Sequence, residues 1–188
     1  MTDAIREGMA LNRRDFLAGS GKTAIGAAVV LGSGTLLMPN QGWGMELKAL
    51  KPETMATMIQ MARDIYPHDR VQDKFYAKAL RAHDDASVDD DAKKALLEDG
   101  VGDLNGRAGK KLLGEATDKG GYLDLGWEAD RVAVLRDIED SDFFQTMRGS
   151  LVVGLYNQKA LWPLFGYEGA SAEKGGYIER GFDDIEWV

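Results

Sequence analysis

Ser141-Asp142-Phe143-Phe144-Gln145-Thr146-Met147-Arg148-Gly149-Ser150-Leu151-Val152-Val153-Gly154-Leu155-Tyr156 decides the fold class. Phe144, Met147, Leu151 and Leu155 recur at i, i+3, i+7 and i+11, the spacing of one face of a helix and not the alternation of a half-buried strand. Ser141 stands just before this stripe, where its hydroxyl can accept a backbone N–H of the first turn. The segment predicts a core-facing helix.

The same period extends upstream. Trp127 to Glu139 carries Val132, Leu135 and Ile138 on one side and predicts a helix ending near Asp140. Pro52 suits a first helical turn, and Met55, Met58, Ile59, Ala62 and Ile65 form one stripe that Pro67 ends. Phe75, Tyr76, Ala79 and Leu80 mark a second helix. Ser87-Val88-Asp89-Asp90 resembles a capping box opening a third, with Leu96 and Leu97 buried and Gly100 as the stop. Gly100 to Gly109 holds four glycines and reads as a loop or a loosely held helix start. Lys110 to Ala116 then continues helically with Leu112 and Leu113 inward, until Lys119-Gly120-Gly121 breaks it. The expected fold is all-α, a single small domain of about five or six helices over residues 45–165.

Beyond Pro163 the glycines at 166, 169, 175, 176 and 181 interleave with Phe165, Tyr167, Tyr177, Phe182 and Trp187. Aromatics without a period cannot build a core alone. Residues 166–188 read as an extended strap lying either on this domain or on a partner.

The first 44 residues differ in kind. Arg13 and Arg14 precede Phe16 and Leu17, and Ala24 to Met38 follows as an uncharged run rich in glycine and alanine. Residues 1–44 resemble a twin-arginine export signal. As a helix the 15-residue run would span about 22 Å, short of the roughly 30 Å of a bilayer core. No A-x-A site follows it, so cleavage near Gly44 and retention as an anchor both stay open. Gly19-Ser20-Gly21-Lys22-Thr23 imitates the end of a phosphate-binding loop, but Phe16 stands where that motif needs its first glycine.

Composition narrows the chemistry. The 188 residues include 31 acidic and 23 basic side chains, giving a net charge of −8, and no cysteine. Disulfides, thiolate zinc sites and cysteine-held clusters are excluded, and an acidic chain is a poor counterion-displacing binder of nucleic acid. His68 and His83 are the only imidazoles. His68 reads as a turn residue bonded to backbone or solvent, and His83-Asp84-Asp85 with Asp89-Asp90-Asp91 reads as a solvated acidic loop. A calcium loop starting at Asp85 would need glycine where Asp90 stands and glutamate where Leu96 stands. Gly100-Val101-Gly102 follows a charged helix and not a buried strand, so no dinucleotide fingerprint is supported. No catalytic, cofactor-binding or metal-binding residue is expected in this chain.

Phe143-Phe144-Gln145-Thr146-Met147-Arg148, Gly154-Leu155-Tyr156 and Leu164-Phe165-Gly166-Tyr167-Glu168-Gly169 together resemble the gluconate 2-dehydrogenase subunit 3 family. Met58 to Asp69, closed by Ile65-Tyr66-Pro67, is similar to that family's first helix. The acidic and glycine-rich middle, Ala86 to Gly121, departs from it. The resemblance implies a periplasmic complex in which a large GMC-type flavoprotein holds FAD and oxidises a sugar or other alcohol, and a cytochrome c subunit often takes the electrons onward. The small subunit would supply the signal read by the Tat translocase and assist maturation, being membrane-associated only through the complex or an uncleaved signal. Phe143, Phe144, Trp162, Phe165, Tyr167, Tyr177 and Trp187 are the expected partner contacts. The competing expectation is a stand-alone periplasmic binding or chaperone module.

Overall fold

The computed structural model describes residues 29–31, 35–38, 43–114 and 121–178. Five α-helices occur among them: α1 (Pro52–Ile65), α2 (Asp73–Ala86), α3 (Asp91–Leu113), α4 (Glu128–Arg136) and α5 (Asp142–Tyr156). Short 3₁₀ turns lie at Tyr122–Asp124, Trp162–Phe165 and Ser171–Lys174. The domain is all-α apart from a small antiparallel ribbon of β1 (Val29–Leu31), β2 (Thr35–Met38) and β3 (Trp43–Glu46), in which Leu36 pairs with Met45. The ribbon takes up part of the apolar run, where Val29, Val30 and Thr35 favour strand and the intervening glycines disfavour helix. The boundary drawn at Gly44 falls inside β3, and the Leu36 side chain is fully buried.

Helix α1 is the hub. Met55, Met58, Ile59, Met61 and Ala62 are all essentially without solvent exposure, so its buried face is wider than a single stripe. Pro52 occupies its first turn with no side-chain cap, and Tyr66 closes its end through the Ala62 carbonyl. Helices α2 and α5 lie against each other because Gly154 has no side chain: a Cβ there would stand 3.1 Å from the Ala79 carbonyl oxygen. Ser141 caps α5 as its position predicts, its hydroxyl accepting the Phe144 N–H at 3.2 Å.

The middle of the chain differs from expectation. Gly100 to Gly109 is neither loop nor stop but the centre of α3. Leu97, Val101, Leu104 and Ala108 recur along one buried face, and their burial outweighs the roughly 1 kcal/mol that each interior glycine costs a helix. Gly100 is where the ring of Phe143 enters, since a Cβ would overlap that ring. The α5 stripe accordingly runs through Phe143 and not Phe144, which is only half-buried. Leu96 is likewise half-buried, and Leu112 and Leu113 are exposed instead of inward. At 23 residues α3 extends about 34 Å, while its 14- and 15-residue neighbours extend about 22 Å, so its last turn outruns their packing.

Ser87 does not open α3. It closes α2, its hydroxyl donating to the His83 carbonyl at 2.8 Å, and Asp90 is the α3 cap, accepting the Lys93 N–H at 2.8 Å. His83-Asp84-Asp85 is helical, and Asp84 is only 1% exposed. Its carboxylate accepts the N–H groups of Lys48 (2.8 Å), Ala49 (3.0 Å) and Leu50 (2.9 Å), fastening the segment after β3 to α2. Glu98 on α3 takes the next donors, the Lys51 N–H at 2.9 Å and the Thr54 hydroxyl at 2.7 Å. Burial works to raise the Glu98 pKa, but these donors and the Lys51 ammonium hold it below the usual range.

Candidate partner interface

Among the described residues, the charged and polar clusters inside the domain are spent on packing. Asp64 at the end of α1 receives a two-point guanidinium bond from Arg131 of α4, at 2.8 and 3.1 Å, and the Tyr122 hydroxyl at 2.8 Å. Both members of the ion pair are largely buried, and Arg131 also donates to the Leu125 carbonyl at 2.9 Å. Burial, reinforced by the Asp64 charge, drives the Tyr122 pKa far upward and keeps its hydroxyl a donor.

His83 faces α5, with Nε2 2.8 Å from the Ser150 hydroxyl, which lies 2.9 Å from the Met147 carbonyl. Burial, with the nearby Lys93 charge, lowers its pKa to about 4, so the ring is neutral at pH 7. Its carboxylate neighbour in sequence, Asp84, is occupied by the three N–H groups of residues 48–50. No group of three or more acidic or histidine side chains arranged to hold a metal ion occurs among the described residues.

The end of α5 is different, because what gathers there is aromatic and only partly covered. Tyr156 packs edge-on against Tyr66 (5.7 Å between centroids) and His68 (5.6 Å), and Phe165 lies 5.0 Å from His68 and 5.4 Å from Tyr156. His68 does open a turn, its carbonyl accepting the Val71 N–H at 3.0 Å, but its ring Nε2 meets a side chain and not backbone, 2.7 Å from the Tyr156 hydroxyl. Burial, with Tyr66 nearby, raises the Tyr156 pKa. Trp162 donates its indole N–H to the Tyr156 carbonyl at 3.0 Å and packs edge-on against Tyr167 at 5.0 Å. Gln158 joins α2 to α5 by donating to the Phe75 and Gly154 carbonyls, both at 2.8 Å, and its buried Oε1 has no partner among the described residues.

The expected contact residues separate accordingly. Phe165, Tyr167 and Tyr177 are 40%, 48% and 63% exposed, and Trp162 is half-buried beside Tyr167. Phe143 cannot be a partner contact, because it is 4% exposed and seated on Gly100. Phe144 is half-buried in a cavity of about 280 Å³ shared with Tyr66 and Arg148. Trp187, together with Arg13, Arg14, Phe16 and Leu17, lies outside the described residues.

The described part of the strap is folded and not extended. Gly166, Gly169, Gly175 and Gly176 take positive φ, the left-handed conformation that side chains resist, and turn the chain repeatedly. Gly169 passes over the Trp162 ring, Gly176 donates to the Ser171 carbonyl at 2.8 Å, and Lys174 pairs with Glu168 at 3.1 Å. The sequence reading missed Tyr66, His68 and Tyr156 as members of the cluster. Their signal was available, since Tyr66-Pro67-His68 ends α1 and Tyr156 ends α5, and two helix ends carrying rings can meet. No protein family, curated protein or solved structure matches the chain.

Proposed function

We propose that this protein is a non-catalytic accessory subunit that escorts a larger partner through the twin-arginine route and stabilises it in the periplasm. The partner is a GMC-type flavoprotein that holds FAD and oxidises a sugar or related alcohol, with a cytochrome c as a further member where electrons leave the complex. The observation that carries the reading is the exposed aromatic cluster at the end of α5, where Phe165 lies against Tyr156 and Tyr167 against Trp162. Large rings left uncovered in a structured segment are the usual anchors of a protein interface. Arg13-Arg14 ahead of this domain, and its resemblance to the small dehydrogenase subunits, agree with that use. The inward-facing Asp64, Asp84 and His83 hold elements together, which suits a scaffold.

The test is export of a co-expressed GMC-type flavoprotein. Changing Arg13 and Arg14 to Lys should leave both proteins in the cytoplasmic fraction. A flavoprotein that still reaches the periplasm contradicts the escort role. A flavoprotein that never co-purifies with the unaltered chain favours the stand-alone binding module.

A further inference from the structure

Helix α2 turns a basic face to solvent in a chain whose net charge is −8. Lys74 and Lys78 are exposed one turn apart on it, and Lys159, just past the end of α5, is exposed across the helix boundary. Lys78 and Lys159 both line a cavity of about 530 Å³ whose other walls are Val153, Gly154, Ala160 and the Asn157-Gln158 turn. No acidic residue lines it. Among the described residues neither Lys78 nor Lys159 has an ion pair, whereas Lys48, Lys51, Lys111 and Lys174 each have one. Val153 offers an apolar surface at 65% exposure.

The cavity adjoins the aromatic cluster. The Lys159 ammonium lies 5.7 Å over the Trp162 ring, and Gln158 fixes the back wall by bonding α2 and α5 together. Aromatic cluster and basic cavity therefore form one continuous surface around the end of α5.

We propose that this cavity docks an acidic segment of the partner protein, in which one apolar side chain enters over Val153, Gly154 and Ala160 while flanking Asp or Glu carboxylates meet Lys78 and Lys159. Charge complementarity commits the occupant: two ammonium groups with no ion pair among the described residues, around an apolar floor with no carboxylate in its lining, reject a basic segment and attract an acidic one. Exposed lysines at a rim act mainly on association rate and partner choice, so the interaction weakens as salt rises. The proposal rests on the escort reading for the identity of the partner, and on the cavity alone for its chemistry.

The experiment places a photoreactive benzophenone side chain at Val153 of the full chain, co-expressed with the flavoprotein, and repeats capture with a Lys78→Glu/Lys159→Glu double variant. Lys110→Glu, on the exposed end of α3, is the control. The expected result is an adduct at 153 to a flavoprotein peptide holding Asp or Glu within three residues of an apolar side chain. The double variant should lose that adduct and bind the flavoprotein at least tenfold more weakly at low salt, while Lys110→Glu binds as the unaltered chain does. Undiminished binding by a folded double variant, checked by circular dichroism, overturns the proposal and leaves the escort reading intact. An adduct only to residues 179–188 of the same chain also overturns it, because the occupant would then be internal. If the unaltered chain captures no flavoprotein at all, the escort reading fails. An adduct to another protein's acidic segment that the double variant abolishes would still support the cavity's chemistry.

Discussion

The interior around α1 and the surface around the end of α5 solve opposite problems. In the interior, polar groups are buried and matched: Asp84 accepts three N–H groups, and Asp64 is shared by Arg131 and Tyr122. At the end of α5, apolar groups are displayed, with Phe165 and Tyr167 packed on neighbouring rings yet 40% and 48% exposed. A buried polar group without a partner costs free energy, as does an apolar group without a cover. The first region removes that cost within the chain, and the second leaves it for a partner to remove. The contrast separates residues that hold the domain from residues that use it.

The largest expected effects lie in the interior. Asp64→Ala leaves the Arg131 guanidinium buried without its carboxylate and should cost about 3–5 kcal/mol, measured by urea unfolding. Asp84→Ala strands three backbone donors and should cost about 3 kcal/mol by the same measurement. Either variant, where still folded, should retain the aromatic surface and capture the partner. A loss of capture without a loss of stability would break the division between the two regions.

Acid should act next, through His83. Its pKa in the folded protein, about 4, lies below the ordinary 6.5, so the unfolded chain binds this proton first. The contribution is complete above pH 6.5 and is lost as pH falls from there through 4, amounting to about 3 kcal/mol. His83→Gln should flatten this part of the pH profile of the melting temperature. An unchanged slope would show that the ring is not the buried neutral group described here.

Two glycines of α3 offer a sharper contrast at smaller energy. Gly102 has open space where a Cβ would stand, so Gly102→Ala should stabilise by up to about 1 kcal/mol. At Gly100 the same change drives a Cβ into the Phe143 ring, and the overlap should outweigh the propensity gain, for a net loss of about 1–2 kcal/mol. Equal effects at the two sites would place Phe143 elsewhere.

The smallest stability effect belongs to the exposed rings. Tyr167→Ser with Tyr177→Ser should change stability by under about 0.5 kcal/mol while lowering partner capture at least tenfold, because interface anchors carry binding energy that folding does not use.

How far the sequence foretells this depends on which force places each residue. Helix α1 and the Ser141 cap were legible because apolar period, proline and cap agree there. Helix α3 was not, because its glycines signal a break locally, while the burial of Leu97, Val101 and Leu104 depends on α1 and α5, which are distant in sequence. Asp84 looked like one more charge in an acidic run. Only folding brings residues 48–50 to it. Tyr167 and Tyr177 were legible as surface rings because glycines around them deny a core. The basic cavity was not, since Lys78 and Lys159 are brought together only by the pairing of α2 with α5.

The division between a holding interior and a using surface is tested most directly by hydrogen exchange on the full chain, alone and bound to the co-expressed flavoprotein. The account predicts slowed exchange upon binding across residues 153–178, with α1 and the centre of α3 unchanged. Protection confined to α1, α3 and α4, with residues 153–178 exchanging as in the free chain, would contradict it.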